Sequence, residues 1–151
     1  MTSKQDRNRT IIIITSGFEE ESTVICLKQF RLAGLDIKLV GLTARPVVGA
    51  HGLVVRPDFS LEELEGQRQP GLMIIPGHEK SAEKLLADPR FHRLFQATVK
   101  NDGHIGIMRT AETVFGQAGL AEILSTPQCL RQGKMDARTF CQGLADAMYL
   151  C

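Results

Sequence analysis

Apolar residues in this chain gather into short solid runs, separated by stretches with helical spacing. The run IIIIT, residues 11–15, is β-branched and lacks polar alternation, as suits a strand buried on both faces. The turn SGFEEES follows, then residues 20–33, where Val24, Leu27, Phe30 and Ala33 share one helical face. Three glutamates open this helix at the positive end of its dipole, and Gly34 closes it just past the C-cap. DIKLVGL predicts a second strand. ARPVVGAHGLVVRP predicts a small hairpin turning at Gly49 and Gly52, and SLEELEG a short helix with Ser60 and Glu63 at capping-box spacing. GLMIIPG reads as a third core strand, residues 78–103 as a helix broken near Asp88-Pro89, and HIGIM as a fourth strand. AETVFGQAG is the next helix and AEILST a short fifth strand. MDARTFCQGLADAMYL closes the chain as a helix with Phe140, Leu144 and Met148 at i, i+4, i+8.

Strand and helix alternate throughout, which defines an α/β class with a mostly parallel sheet. Ligands of such sheets bind at the carboxyl ends of the strands. Those ends are TSGFEEES, PGHEKS, MRTAE and STPQ, which bring Glu19, Glu20, Ser22, Gly77, His78, Arg109, Thr110 and Thr126 into one predicted neighbourhood. Residues 1–9 read as a polar leader and 10–151 as a single domain.

Composition narrows the function classes. The chain has 151 residues, 43% hydrophobic and 23% charged, with a net charge of +1. That balance carries no basic footprint for nucleic acid. Trp is absent and Tyr occurs once, so stacking platforms for bases are scarce. No run reaches the length of a membrane span. The four cysteines, Cys26, Cys129, Cys141 and Cys151, form no C-x-x-C pair, and the histidines show no metal spacing, so no metal or other cofactor is expected. The expectation is a cytoplasmic protein with reduced thiols, Cys26 packed as a small hydrophobe and Cys151 at a frayed end.

IIIITSGFEEES, GLVVRPDFSLEEL, IIPGHE and GHIGIMRTAETVFGQAGL occur in an order and spacing that resemble the ThiJ/PfpI superfamily over residues 9–128. The resemblance implies a class I glutamine amidotransferase-like, flavodoxin-like α/β/α sandwich, shortened near its C-terminus, and a homodimer. Members of that family place a cysteine on a strand-to-helix elbow, a glutamate in the first turn against it and, in some, a histidine after the next strand. Backbone amides there can form an oxyanion hole. Ascribed activities include peptidase, glyoxalase, deglycase and chaperone roles, and some relatives are sensor domains. In this chain the elbow cysteine falls on Arg109, the glutamate on Ser22 and the histidine near Thr126. The glycine turn is kept as Pro76-Gly77, with His78 next.

Each side chain that would do chemistry is therefore changed. A guanidinium is not a nucleophile at neutral pH. The resemblance then implies a non-catalytic protein that senses, binds or scaffolds. Two roles stand open for Arg109. It plugs a retired site by pairing with Glu19, Glu20 or Glu21, the favoured reading, or it receives a small carboxylate or phosphate at a helix N-terminus. A third reading is an enzyme of altered chemistry in which Glu20 or His78 handles protons.

Overall fold

The structure, a computed structural model, describes residues 9–65 and 69–149; the polar leader up to residue 8, Gly66 and Cys151 lie outside the described residues. The solid apolar runs form the middle of a six-stranded, all-parallel sheet. Its strands are β1 (Thr10–Ile14), β2 (Ile37–Gly41), β5 (Phe59–Ser60), β6 (Leu72–Ile75), β7 (His104–Ile107) and β8 (Cys129–Arg131), in the order β5-β2-β1-β6-β7-β8. Within β1 the period of two splits the isoleucines. Ile11 and Ile13 enter one core, Ile12 and Ile14 the other, all buried. That is why no polar residue interrupts the strand.

Helices cover both faces. α1 (Glu20–Leu32) and α7 (Ala137–Tyr149) pack on the face of Ile12, Leu72 and Ile74. The opposite face carries α2 (Leu61–Glu65), α3 (Glu79–Leu86), α4 (Pro89–Lys100), α5 (Arg109–Phe115) and α6 (Ala121–Leu124). Phe91, Phe95 and Phe115 stack there with ring centroids 5.7 to 6.1 Å apart. The three layers are those of a flavodoxin-like α/β/α sandwich. β3 (Val47–Val48) and β4 (Val54–Val55) form a separate antiparallel hairpin that turns through Gly52, whose φ of +91° suits glycine.

Most local signals act as the sequence predicts. The backbone N–H of Glu63 donates to Ser60 Oγ and that of Ser60 to Glu63 Oε1, both at 3.3 Å, a reciprocal capping box on α2. The break expected near Asp88-Pro89 is present, and Asp88 in addition caps α4 by accepting from the backbone N–H of Arg90 at 2.9 Å, with Pro89 in the first turn. Gly34 takes φ +75° past the end of α1.

Three expectations are corrected. Residues 121–124 are helical, not a strand. The chain continues from α5 through the π-turn Gly116–Leu120, kinked at Gly119, into α6, and the last strand is Cys129–Arg131. On α1 the fully buried side is Thr23, Cys26 and Phe30, whereas Val24 is 49% exposed and Ala33 is also exposed, so the apolar stripe is rotated by one residue. Finally, Cys26 is not a free thiol. It forms a disulfide with Cys141, with the Cα atoms 5.1 Å apart, and joins α1 to α7.

Candidate functional site

The carboxyl edge of the sheet is assembled from the turns after β1, β6, β7 and β8. After β7, Met108 is extended and Arg109 starts α5. Among the described residues, non-glycine positive φ occurs only at His78 and Asp102, so the backbone at Arg109 is relaxed. A strand-to-helix elbow that exposes a nucleophile is, by contrast, sharp and strained.

Arg109 does not meet the glutamates of the first turn. Its Nε donates to the carbonyl of Gly133 at 2.6 Å and its Nη2 to that of Met135 at 2.7 Å. The pairing expected with Glu19, Glu20 or Glu21 is thus replaced by backbone acceptors from the loop between β8 and α7. The backbone N–H of Arg109 is also engaged: it donates to Gln132 Oε1 at 2.9 Å, while Gln132 Nε2 donates to Met135 O at 3.0 Å. Gln132 is buried, and both ends of its carboxamide are satisfied, as a buried amide requires. It caps the first turn of α5 from a distant part of the chain. Sequence reasoning missed it because the last strand was assigned to residues 121–126, which hid the true carboxyl edge at Gln132.

The glutamates are occupied elsewhere. Glu19 is the N-cap of α1, accepting from the backbone N–H of Glu21 at 3.1 Å and of Ser22 at 2.8 Å, and also from the Ser22 hydroxyl. Ser22 is buried against that cap. Glu20 reaches the hairpin. Both of its oxygens lie 2.9 Å from the N–H of His51, Oε2 accepts from Leu53 N–H at 3.0 Å, and Oε1 is 3.0 Å from His51 Nδ1. These bonds, that of Leu53 foremost, hold the Glu20 carboxyl below its ordinary range. A Cβ on Gly49 would come 2.5 Å from Glu20 Cγ, so a side chain there would push the Glu20 carboxylate away from the hairpin.

Gly77, His78 and Thr110 do lie together. A Cβ on Gly77 would stand 3.6 Å from Met108 Cβ and 4.0 Å from Thr110 Oγ1. His78 stands at φ 101°, ψ 128°, a conformation that favours glycine, just before α3; its Nδ1 is buried and has no hydrogen-bond partner. Thr126 is not part of this neighbourhood. It precedes β8, whose first residue Cys129 pairs with Ile105 near the start of β7, and its hydroxyl donates to Ile123 O. It sits at the amino edge, because α6 returns the chain there before the last strand. Among the described residues no cluster of His, Cys, Asp and Glu could hold a metal ion.

A parallel sheet of this order, with its turns converging on a strand-to-helix elbow, defines a class of α/β sandwich whose sites form at the carboxyl edge. The model of the DJ-1/PfpI family matches residues 8–128, and the chain belongs to that family. It is 27% identical over 114 residues to the Parkinson disease protein 7 homolog of Danio rerio, covering 75% of this chain and 60% of that protein. The chain thus spans less than two thirds of that relative. Among solved structures it resembles oxidized DJ-1 of Toxoplasma gondii, with TM-score 0.81 and 16% identity over 93% of this chain and 90% of that one. DJ-1beta of Drosophila melanogaster also gives TM-score 0.81, with 17% identity over 93% and 89% of the two chains.

Proposed function

We propose that this chain is a non-catalytic DJ-1/PfpI protein, a sensor, binding or scaffold domain whose elbow arginine is bracketed by its own backbone. The observation that carries this reading is the internal bracket at Arg109. A guanidinium stays protonated and is no nucleophile. Two of its donors are spent on the carbonyls of Gly133 and Met135. An oxyanion site needs free, preorganised donors, and the elbow amide is already held by Gln132. Of the two roles open to Arg109, these two bonds favour the plug, with the side chain itself still exposed at the surface. Glu20 is a poor candidate for proton transfer, since its acceptors are filled by the hairpin.

A small-ligand binding role is the second reading. It is favoured by the unpartnered Nδ1 of His78 beside Gly77 and Thr110. We further propose one domain over residues 10–151 that forms a homodimer. Val48, Leu53 and Val54 of the hairpin and Val24 of α1 are exposed apolar side chains that a second copy would cover. A cytoplasmic location loses its thiol argument with the Cys26–Cys141 pair. Among the described residues no helix is long and apolar enough to cross a membrane.

The test pairs catalysis with binding. Wild-type protein is expected not to turn over methylglyoxal, glycated substrates or peptides. Arg109→Ala is expected to lower the melting temperature and to speed proteolysis within residues 132–136. Turnover that disappears in Arg109→Ala would overturn the reading. A thermal-shift screen of carboxylate and phosphate metabolites separates plug from receptor, because stabilisation lost in Arg109→Ala marks a ligand at the guanidinium and stabilisation lost in His78→Ala one at the imidazole.

A further inference from the structure

We propose that Cys26 and Cys141 form a redox latch on α7, closed by thiol–disulfide exchange and opened by reduction, so that the redox-responsive centre of this chain lies between α1 and α7. The inference goes beyond the reading of the elbow and does not depend on it.

The two cysteines are 115 residues apart and each is fully buried, in the core layer with Phe30, Phe140 and Leu144. Three kinds of contact hold α7. The disulfide ties it to α1. Packing seats Leu144 against β7 so closely that a Cβ on Gly106 would fall 3.0 Å from Leu144 Cδ1. The loop before α7 is held by Arg109 through Gly133 and Met135. Only the first of these responds to thiol poise.

The remaining described cysteine does not compete. Cys129 lies on the opposite face of the sheet, and burial pushes its thiol up to about 11, which leaves little thiolate at neutral pH. Because neither sulfur of the pair reaches solvent, exchange requires α7 or α1 to lift first. Docking of α7 and the state of the latch are therefore linked.

The step balances with a low-molecular-weight disulfide as oxidant. A thiolate of the pair attacks it, releases one thiol and forms a mixed disulfide. The second cysteine of the pair then displaces the other thiol. The protein loses two electrons and two protons, and the oxidant becomes two thiols. A dithiol reverses the sequence. Where thiols are kept reduced, the disulfides that do form are mostly transient and catalytic or sensing.

The test uses the whole chain, equilibrated with glutathione disulfide or with dithiothreitol. Alkylation under denaturing conditions is expected to count two more thiols after reduction. Hydrogen exchange of amides in residues 137–149 is expected to speed at least tenfold in the reduced protein, with β1 and β6 unchanged. Cys141→Ala is expected to match the reduced protein under both conditions. Equal thiol counts would overturn the latch, as would equal protection of α7 in both states. So would a loss of protection spread evenly over the sheet. If Cys141→Ala does not fold, the reduced wild type carries the comparison alone.

Discussion

His78 shows how one residue holds both cost and promise. A non-glycine residue in this backbone region costs about 1–3 kcal/mol, and a buried imidazole nitrogen without a partner adds to that. Glycine would remove both, although it gains freedom in the unfolded chain. His78→Gly is therefore expected to stabilise the protein by about 1 kcal/mol, a rise of roughly 2–4 °C in melting temperature. A fall in melting temperature would show that the imidazole is already satisfied. Arg109 shows the limit of reading a single position. The sequence puts it at the junction of β7 and α5, where it lies, and its charge points to carboxylates nearby. Its actual partners are backbone carbonyls, which look the same for any residue type and leave no mark in the sequence.

At the scale of elements, the buried strands in the middle of the sheet were legible, and so were the partly exposed β2 and the β3–β4 hairpin. β1 and β6 each place apolar residues in both cores, so periodicity does not need to be resolved, while β7 sends Ile105 and Ile107 to one core and sets Gly106 against Leu144 on the other. β8 escaped notice because it is three residues long, with Cys129 its only buried member. AEILST imitated a strand, yet continuation from α5 made its first part helical. The capping box of Ser60 and Glu63 was legible because it acts over three residues, whereas the cap by the distant Gln132 was not. Asp88 gives the clearest consequence. Its bond to Arg90 foremost, with the backbone N–H of the first turn of α4, depresses its carboxyl below the ordinary value of 3.8. The stabilisation is therefore complete above that value and fades as pH falls through the lower, folded-state value. Asp88→Ala is expected to cost about 1 kcal/mol at pH 7. The difference from wild type should shrink at pH 3 and below, as read by urea melts at each pH. A difference independent of pH would assign the effect to helix propensity alone.

The whole molecule was legible as a layered α/β fold because alternation of strand and helix constrains the topology more than any one element does. The disulfide was not. Four cysteines allow three pairings even when all are bridged, and spacing does not choose among them. Oligomeric state also belongs to this scale. If the exposed valines and Leu53 of the hairpin meet a second copy, Val54→Asp is expected to shift the protein toward monomer in analytical ultracentrifugation, with its circular dichroism unchanged. A wild-type monomer at every concentration would remove that interface.

The outer strands of the six-stranded sheet are β5, with two residues, and β8, with three. An edge that short offers few unpaired backbone groups, and Arg131 places a charge on one of them. A neighbouring chain finds almost no ladder to extend. The sheet is in effect finished at both margins, which protects the protein against fibrous growth.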